Sequence, residues 1–335
     1  MTNIAVVILN YNGAALLERF LPTVIQYSSE ADIVVADNGS TDHSCETIRT
    51  SFPGVRLIAL EKNYGFCGGY NRALSQVEAR YYVLLNSDVE VTPGWLSPLS
   101  RLLDSHPEIA AVQPKILSVD RPTHFEYAGA GGGMIDAFGY PFCRGRLFDY
   151  VERDEGQYND ERPVFWTSGA CMMIRSEAFH AFNGFDERFF AHMEEIDLCW
   201  KLNRSGRQLY YTGKSHVFHI GAGTLAYHHP RKTYLNFRNG LMMLIKHLGS
   251  GEMIFKLPVR VLLDWVASLA FVLKGEGANA LSVLRAHASV ANDIRRLLHQ
   301  RKTLLAKYPR YSRANIYRGL VVFDYYLRRN RRINV

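Results

Sequence analysis

Asp88 stands in NSDVEV, residues 86–91, directly after an apolar run, so a single carboxylate falls at the exposed end of a strand. A carboxylate there can hold Mg²⁺ or Mn²⁺ against a diphosphate, because magnesium is commonly bound by one or two carboxylates plus substrate phosphates. Asn, Ser and Asp also start turns and cap helices, and the segment alone leaves both readings open. GFDERFFAHMEEIDLCWKL, residues 184–202, gathers Asp186, Glu187, Glu194, Glu195 and Asp197 beside aromatic residues. Leu198 and Leu202 mark the buried stripe of a helix on which Glu194 and Asp197 share a side and Glu195 projects differently. Clustered carboxylates raise one another's pKa, which suits a general base near neutral pH, although a solvated acidic helix start accounts for the same residues. SHVFHIGAGT, residues 215–224, places His216 and His219 around a β-like pair. A neutral imidazole there would complete a metal shell begun by Asp88, or satisfy an internal hydrogen bond.

The elements that must position these groups are legible as alternation. Apolar runs at 4–9, 32–37, 55–60 and 81–86 are separated by helix-like segments, as in buried parallel strands of an α/β sheet. Leu16, Leu17, Phe20, Leu21, Val24 and Ile25 recur at helical spacing between the first two. In open parallel sheets ligands sit beyond the carboxyl ends of strands, so Asn10, Asp37, Asn63 and Asn86 are expected along one edge. A helix is expected around residues 96–104. The glycine-rich stretch at 129–133 has the spacing of neither a dinucleotide nor a P-loop motif and reads as a flexible active-site loop.

The 335 residues are 47% hydrophobic and 21% charged, the composition of a globular protein, which excludes disorder as the main state. Five cysteines, odd in number and without a CxxC pair, encode neither a disulfide framework nor a zinc ribbon and predict reduced thiols. The opening MTNIAVVILNYNG lacks the basic region and cleavage site of a signal peptide, which predicts a cytoplasmic protein. The net charge of +7 is unevenly spread: residues 253–335 hold 16 Lys and Arg against 4 Asp and Glu, a net +12. A boundary is placed near residues 249–251, with a body at 1–250 (halves 1–92 and 93–250) and a basic, all-helical region at 251–335.

VVILNYNG, VVADNGSTD, NYGFCGGYN, LLNSDVEV, WTSGACMMIR, GFDERFFAHMEEIDLCW and HVFHIGAGT occur in the order seen in inverting family 2 glycosyltransferases of the GT-A fold, and over residues 3–246 the chain resembles their rhamnosyltransferase-like bacterial branch. YLNFRNGLMML at 234–244 is similar to that branch's RN segment. The resemblance implies a GT-A Rossmann-like transferase domain with a helical extension. It implies an enzyme moving a sugar from a UDP- or dTDP-linked donor to a saccharide or lipid-linked saccharide acceptor, in cell-surface polysaccharide assembly. By the same resemblance, Asn10, Asn12, Asp37, Asn63, Gly65, Asn71 and Asn86 border the nucleotide, Asp88 and His219 bind Mg²⁺ or Mn²⁺, and Glu195 is the base with Glu194 as its fallback. Trp166, Ser168 and Gly169 form the acceptor side. Asn86 replaces the first acid of the family's DxD motif, and Glu195 replaces the second acid of its ED pair, lengthening the reach by one methylene.

A non-catalytic nucleotide-sugar binding protein is the alternative from another class. An NAD(P)-dependent dehydrogenase is a weaker rival, since NYNG has one glycine where a dinucleotide fingerprint needs three. In the basic region Lys256, Arg260, Asp264 and Ser268 fall four apart, one polar stripe on an otherwise apolar helix, and the longest uncharged run is too short for a membrane span. With the later basic clusters this reads as a peripheral anchor on an anionic inner membrane face. A helical subdomain packed on the body, or a homodimer contact, is the alternative, and no nucleic-acid motif accompanies the charge.

Overall fold

The four apolar runs become parallel strands in the computed structural model, which describes residues 2–126, 129–221, 229–309 and 314–333. β1 (Thr2–Asn10), α1 (Ala14–Tyr27), β2 (Asp32–Asp37), α2 (Ser44–Ser51), β3 (Arg56–Ala59), α3 (Gly65–Leu74) and β4 (Ala79–Asn86) follow in turn. The inner strands are buried on both faces, which is why they are written in continuous Val, Ile, Leu and Ala rather than in alternation. α1 covers one face with Leu17, Leu21 and Val24, and α3 the other with Cys67, Tyr70 and Leu74. The register sets Asn10 beside Asp37 and Leu9 beside Asn86, so the polar ends of three strands share one edge.

Next come β5 (Val89–Val91), α4 (Leu96–Ser105), β6 (Ile109–Ser118), β7 (Gly133–Asp136), β8 (Pro141–Cys143), β9 (Arg146–Leu147), β10 (Tyr150–Val151) and β11 (Glu161–Pro163). β12 (Cys171–Arg175), α5 (Ser176–His180), α6 (Glu194–Arg204) and β13 (Gln208–His219) follow. Among the described residues nine strands form one sheet in the order β11-β13-β6-β12-β4-β1-β2-β3, with β5 on β13. β12 runs antiparallel to β4 with Cys171 opposite Leu85, which brings residues 167–170 back to the polar edge. β13 meets β5 with His219 opposite Val89, which delivers His219 beside Asp88.

The glycine stretch differs from the flexible loop expected of it. Gly129, Gly131 and Gly132 are buried in a turn closed by the Gly132 amide on the Gly129 carbonyl at 2.7 Å. Gly133 opens β7 beneath Trp166, where a Cβ would lie 2.2 Å from the indole. The glycines serve close packing there.

The chain ends with α7 (Pro230–His247), α8 (Ser250–Leu273), α9 (Gly277–Lys307), β14 (Ile316–Tyr317) and α10 (Val321–Tyr326). The C-terminal region is therefore not all-helical: β14 adds in parallel to β7 with Ile316 opposite Ile135, completing a five-stranded sheet in the order β10-β9-β8-β7-β14. Asp136 accepts the backbone N–H of Val321 at 2.9 Å, and Arg301 donates to the carbonyl of Ile245 at 3.0 Å. The polar stripe of α8 exists and is turned inward. Arg260 donates to Asp264 at 2.9 Å and lies 3.9 Å over the Tyr140 ring, while His287 reaches the other Asp264 oxygen at 3.2 Å.

Candidate active site

At the polar edge, Asn10 and Asp37 are buried and adjacent, and Asn10 Nδ2 donates to Asp37 Oδ1 at 3.0 Å. Ser40 closes the corner by donating its amide to Asp37 Oδ2 at 2.9 Å and its hydroxyl to Oδ1 at 2.5 Å. Asn10 Oδ1 is buried without a hydrogen-bond partner among the described residues, an acceptor left for a ligand. Asn12, at φ 52°, accepts the Thr41 amide at 2.8 Å. Asn63 accepts the Gly65 amide at 2.8 Å, where α3 begins at φ +73°. Asn38, which the motif reading passed over, ties these together by accepting the Tyr64 amide and donating to the Gly65 carbonyl, each at 3.0 Å. Asn71 is spent differently: both ends of its carboxamide bind the Phe185 backbone at 2.9 Å, making it a clamp on the segment before α6.

Asp88 and His219 do come together, with His219 Nε2 3.1 Å from Asp88 Oδ1 and Asn86 Nδ2 3.4 Å from the same nitrogen. The other ring nitrogen meets Glu126 Oε2 at 2.9 Å. Burial alone would lower the His219 pKa, but hydrogen bonds and charge from Asp88 and Glu126 outweigh it and carry it up to about 10. His216, three residues earlier on the same strand, alternates to the other face and is exposed. Glu126 went unnoticed in the sequence; Gly221, in the glycine turn that follows His219, is packed so tightly on Glu126 that a Cβ would lie 1.9 Å from one of its oxygens. Among the described residues no group of three His, Cys, Asp or Glu side chains is arranged to hold a metal ion. The remaining 222–224 of the histidine motif lie outside the described residues.

Glu194 and Glu195 form the first turn of α6. The chain enters it through Phe190, His192 and Met193 at φ 64°, 70° and 72°, a left-handed path uncommon for non-glycine residues and held from outside. Asn239 Nδ2 lies 3.0, 3.0 and 2.7 Å from the carbonyls of Phe189, Ala191 and His192, and Arg238 donates to those of Arg188 and Phe189 at 2.7 and 3.0 Å. One turn along α6, buried Asp197 takes Lys201 at 2.7 Å, Lys246 at 2.8 Å and His247 at 2.9 Å. Burial would raise the Asp197 carboxyl, but Lys201 and Lys246 hold it well below the usual range. Among the described residues Glu194 and Glu195 have no such counter-ions. Burial pushes Glu195 up to about 7, and burial with the charge of Glu195 pushes Glu194 well above the carboxylate range. One oxygen of each is buried and unpartnered among the described residues.

The three acceptor-side residues separate. Trp166 is buried with its indole N–H on the Met134 carbonyl at 2.7 Å, and the Ser168 amide donates to Gln113 at 2.9 Å, so both are tied into the core. Gly169 adjoins Glu195: a Cβ there would lie 3.9 Å from Glu195 Cβ.

A mixed α/β sheet whose polar edge collects carboxamides, a carboxylate–imidazole pair and two neighbouring glutamates is the layout of a GT-A sugar transferase. The chain belongs to glycosyl transferase family 2, whose model matches residues 5–182. It is 29% identical over 318 residues to the N-acetylglucosaminyl-diphospho-decaprenol L-rhamnosyltransferase of Mycobacterium tuberculosis, covering 87% of this chain and 94% of that protein. It is 32% identical over 253 residues to the rhamnosyltransferase WbbL of Escherichia coli, covering 73% of this chain and 92% of that one. A solved mannosyltransferase from Pyrobaculum calidifontis, in complex with GDP-Man and Mn²⁺, has the same fold at 14% identity, with a TM-score of 0.52 over 91% of this chain and 85% of that chain. The protein is thus a rhamnosyltransferase-like glycosyltransferase, and the dehydrogenase and non-catalytic alternatives fall away.

Proposed function

We propose that the enzyme transfers a sugar from a UDP- or dTDP-linked donor to a hydroxyl of a lipid-linked saccharide, with inversion at the anomeric carbon, in cell-surface polysaccharide assembly. The observation that carries this reading is Glu195: a half-buried residue whose carboxyl is pushed up to about 7 by desolvation and has one buried, unpartnered oxygen, beside Gly169 at the sheet's polar edge. Glu195 accepts the proton of the acceptor hydroxyl as that oxygen bonds to the anomeric carbon. The bond from that carbon to the diphosphate breaks, and its electron pair leaves with the nucleoside diphosphate.

Asp88 and His219 would hold Mg²⁺ or Mn²⁺. One carboxylate oxygen and one imidazole nitrogen 3.1 Å apart suit an ion that draws its other ligands from a diphosphate and water. When bound, the ion supplies positive charge against that developing on the leaving diphosphate. Glu126 on Nδ1 keeps Nε2 turned toward Asp88. Asn10, Asn12, Asp37, Asn63, Gly65 and Asn86 border the nucleotide, and Asn71 acts by holding the segment that leads to the base. The Mycobacterium relative, named for a decaprenol-linked substrate, supports a lipid-linked acceptor, which would place the enzyme at the cytoplasmic face of a membrane.

The test is nucleoside diphosphate release from a panel of nucleotide sugars with lipid-linked acceptors, with the product's anomeric configuration read by NMR. Glu195→Gln should lose ~10²–10⁴-fold in kcat while donor affinity is retained, the range a positioned general base supplies. Glu194 also has one unpartnered oxygen of its own, so a dead Glu194→Gln beside an active Glu195→Gln moves the base by one residue.

A further inference from the structure

α8 presents its faces in the reverse of the usual sense. Its charged Arg260 and Asp264 are buried against the body, while Phe255, Leu262, Trp265, Val266, Leu269 and Leu273 are exposed on the outward side. A helix on a globular body ordinarily buries the apolar stripe, and a large exposed apolar patch marks an interaction site. α9 extends this surface. Trp265 meets the His287 ring at 6.4 Å, Leu281 and Leu284 are exposed, and so are Arg285, Arg295 and Lys302 of α9. Residues 253–335 carry a net +12, and among the described residues no helix is long and apolar enough to cross a membrane.

We propose that this face docks on an anionic lipid surface, with α8 lying in the plane of the interface over a length of about 36 Å. Its Leu, Phe and Trp side chains enter below the headgroups, and the α9 arginines and lysines meet lipid phosphates. Charge selects this occupant over a second copy of the chain. Two copies laid face to face would oppose surfaces of like sign, whereas an anionic leaflet supplies both the opposite charge and an apolar layer. The inference rests on the lipid-linked acceptor only for its purpose, which is to bring the polar edge of the sheet to a substrate confined to the leaflet.

Trp265 is its own reporter, because Trp95, Trp166 and Trp200, the other three of four tryptophans, are buried and Trp265 is 56% exposed. Full-length protein is mixed with phosphatidylcholine vesicles containing phosphatidylglycerol, without donor or acceptor. Trp265 emission should shift to the blue and be quenched by lipids brominated in their chains, weakly at about 0.5 M salt and not at all with pure phosphatidylcholine. Leu262→Asp with Leu269→Asp, both at exposed positions, should weaken partitioning at least about tenfold while transfer to a soluble short-chain acceptor is unchanged. Folded protein whose Trp265 emission ignores anionic vesicles would overturn the proposal. So would a dimer by light scattering whose Trp265 emission is already blue-shifted without lipid. Vesicle binding that persists in a protein unable to use any lipid-linked acceptor would count against the acceptor reading alone.

Discussion

His219 is held at both ring nitrogens, and the partner on the far side decides what the near side can do. With Glu126 on Nδ1, Nε2 is kept facing Asp88, the arrangement by which carboxylates orient metal-ligating histidines. Glu126→Gln should therefore weaken Mn²⁺ binding about 10–100-fold, read as the Mn²⁺ concentration for half-maximal donor binding, with donor affinity at saturating Mn²⁺ unchanged. Asp88→Ala should abolish Mn²⁺-dependent binding and transfer together. The proposed base, Glu195, gives the pH dependence its sign. A base must be deprotonated to act, and burial raises this carboxyl to about 7, so log kcat/KM should climb with unit slope from acid and level off above about 7. A profile flat between about pH 5 and 8 would exclude Glu195. Asp88, His219, Glu194 and Glu195 were readable because each sits in a short run dense in functional residue types. Glu126 was not, since it lies in an irregular aromatic stretch with no periodicity and joins His219 only through the fold.

At the scale of elements, the path into α6 depends on a side chain from α7. Asn239 has two amide hydrogens for three carbonyls of a left-handed stretch, and each buried carbonyl left unpaired costs about 1–3 kcal/mol. Asn239→Ala should lower Tm and reduce kcat well beyond any change in donor affinity, and Asn239→Asp should not rescue it, because a carboxylate cannot donate to a carbonyl. Differential scanning fluorimetry and steady-state kinetics on both variants check this. The strands of the first half were legible because burial on both faces writes itself as continuous apolar sequence. α8 was legible only by half: its spacing defined a polar and an apolar side, but which side turns inward is settled by Tyr140, His287 and Ala280, partners that no local pattern names.

Across the whole molecule, the basic quarter is built into the body. Arg188, in the segment before α6, is paired with Asp293 of α9 at 2.9 Å, and Asp186 takes Lys246 at 3.0 Å and Gln300 at 3.3 Å. The buried Arg260–Asp264 pair fastens α8 to the same assembly, and breaking such a pair by removing one partner costs about 3–5 kcal/mol. Arg260→Ala should accordingly lower stability to denaturant by that order, and Arg260→Met combined with Asp264→Leu should recover part of it, since nothing of the buried charged pair remains, although His287 loses its partner. An Arg260→Ala variant as stable as the parent would mean that the pair does not anchor the helix.

The pairing of β14 with β7 also sets a timetable. Ile135 leaves the ribosome roughly 180 residues before Ile316, its partner, which at ~5–20 residues per second is a wait of roughly 10–40 s. Throughout that interval β7 presents an open edge, and the Asp136 carboxyl lacks the Val321 amide that it accepts in the finished molecule. Nascent chains stalled near residue 250 should therefore remain protease-sensitive around residues 133–151 and acquire protection only once residues 316–326 have emerged, so that a segment synthesised far later closes a sheet begun at residue 133.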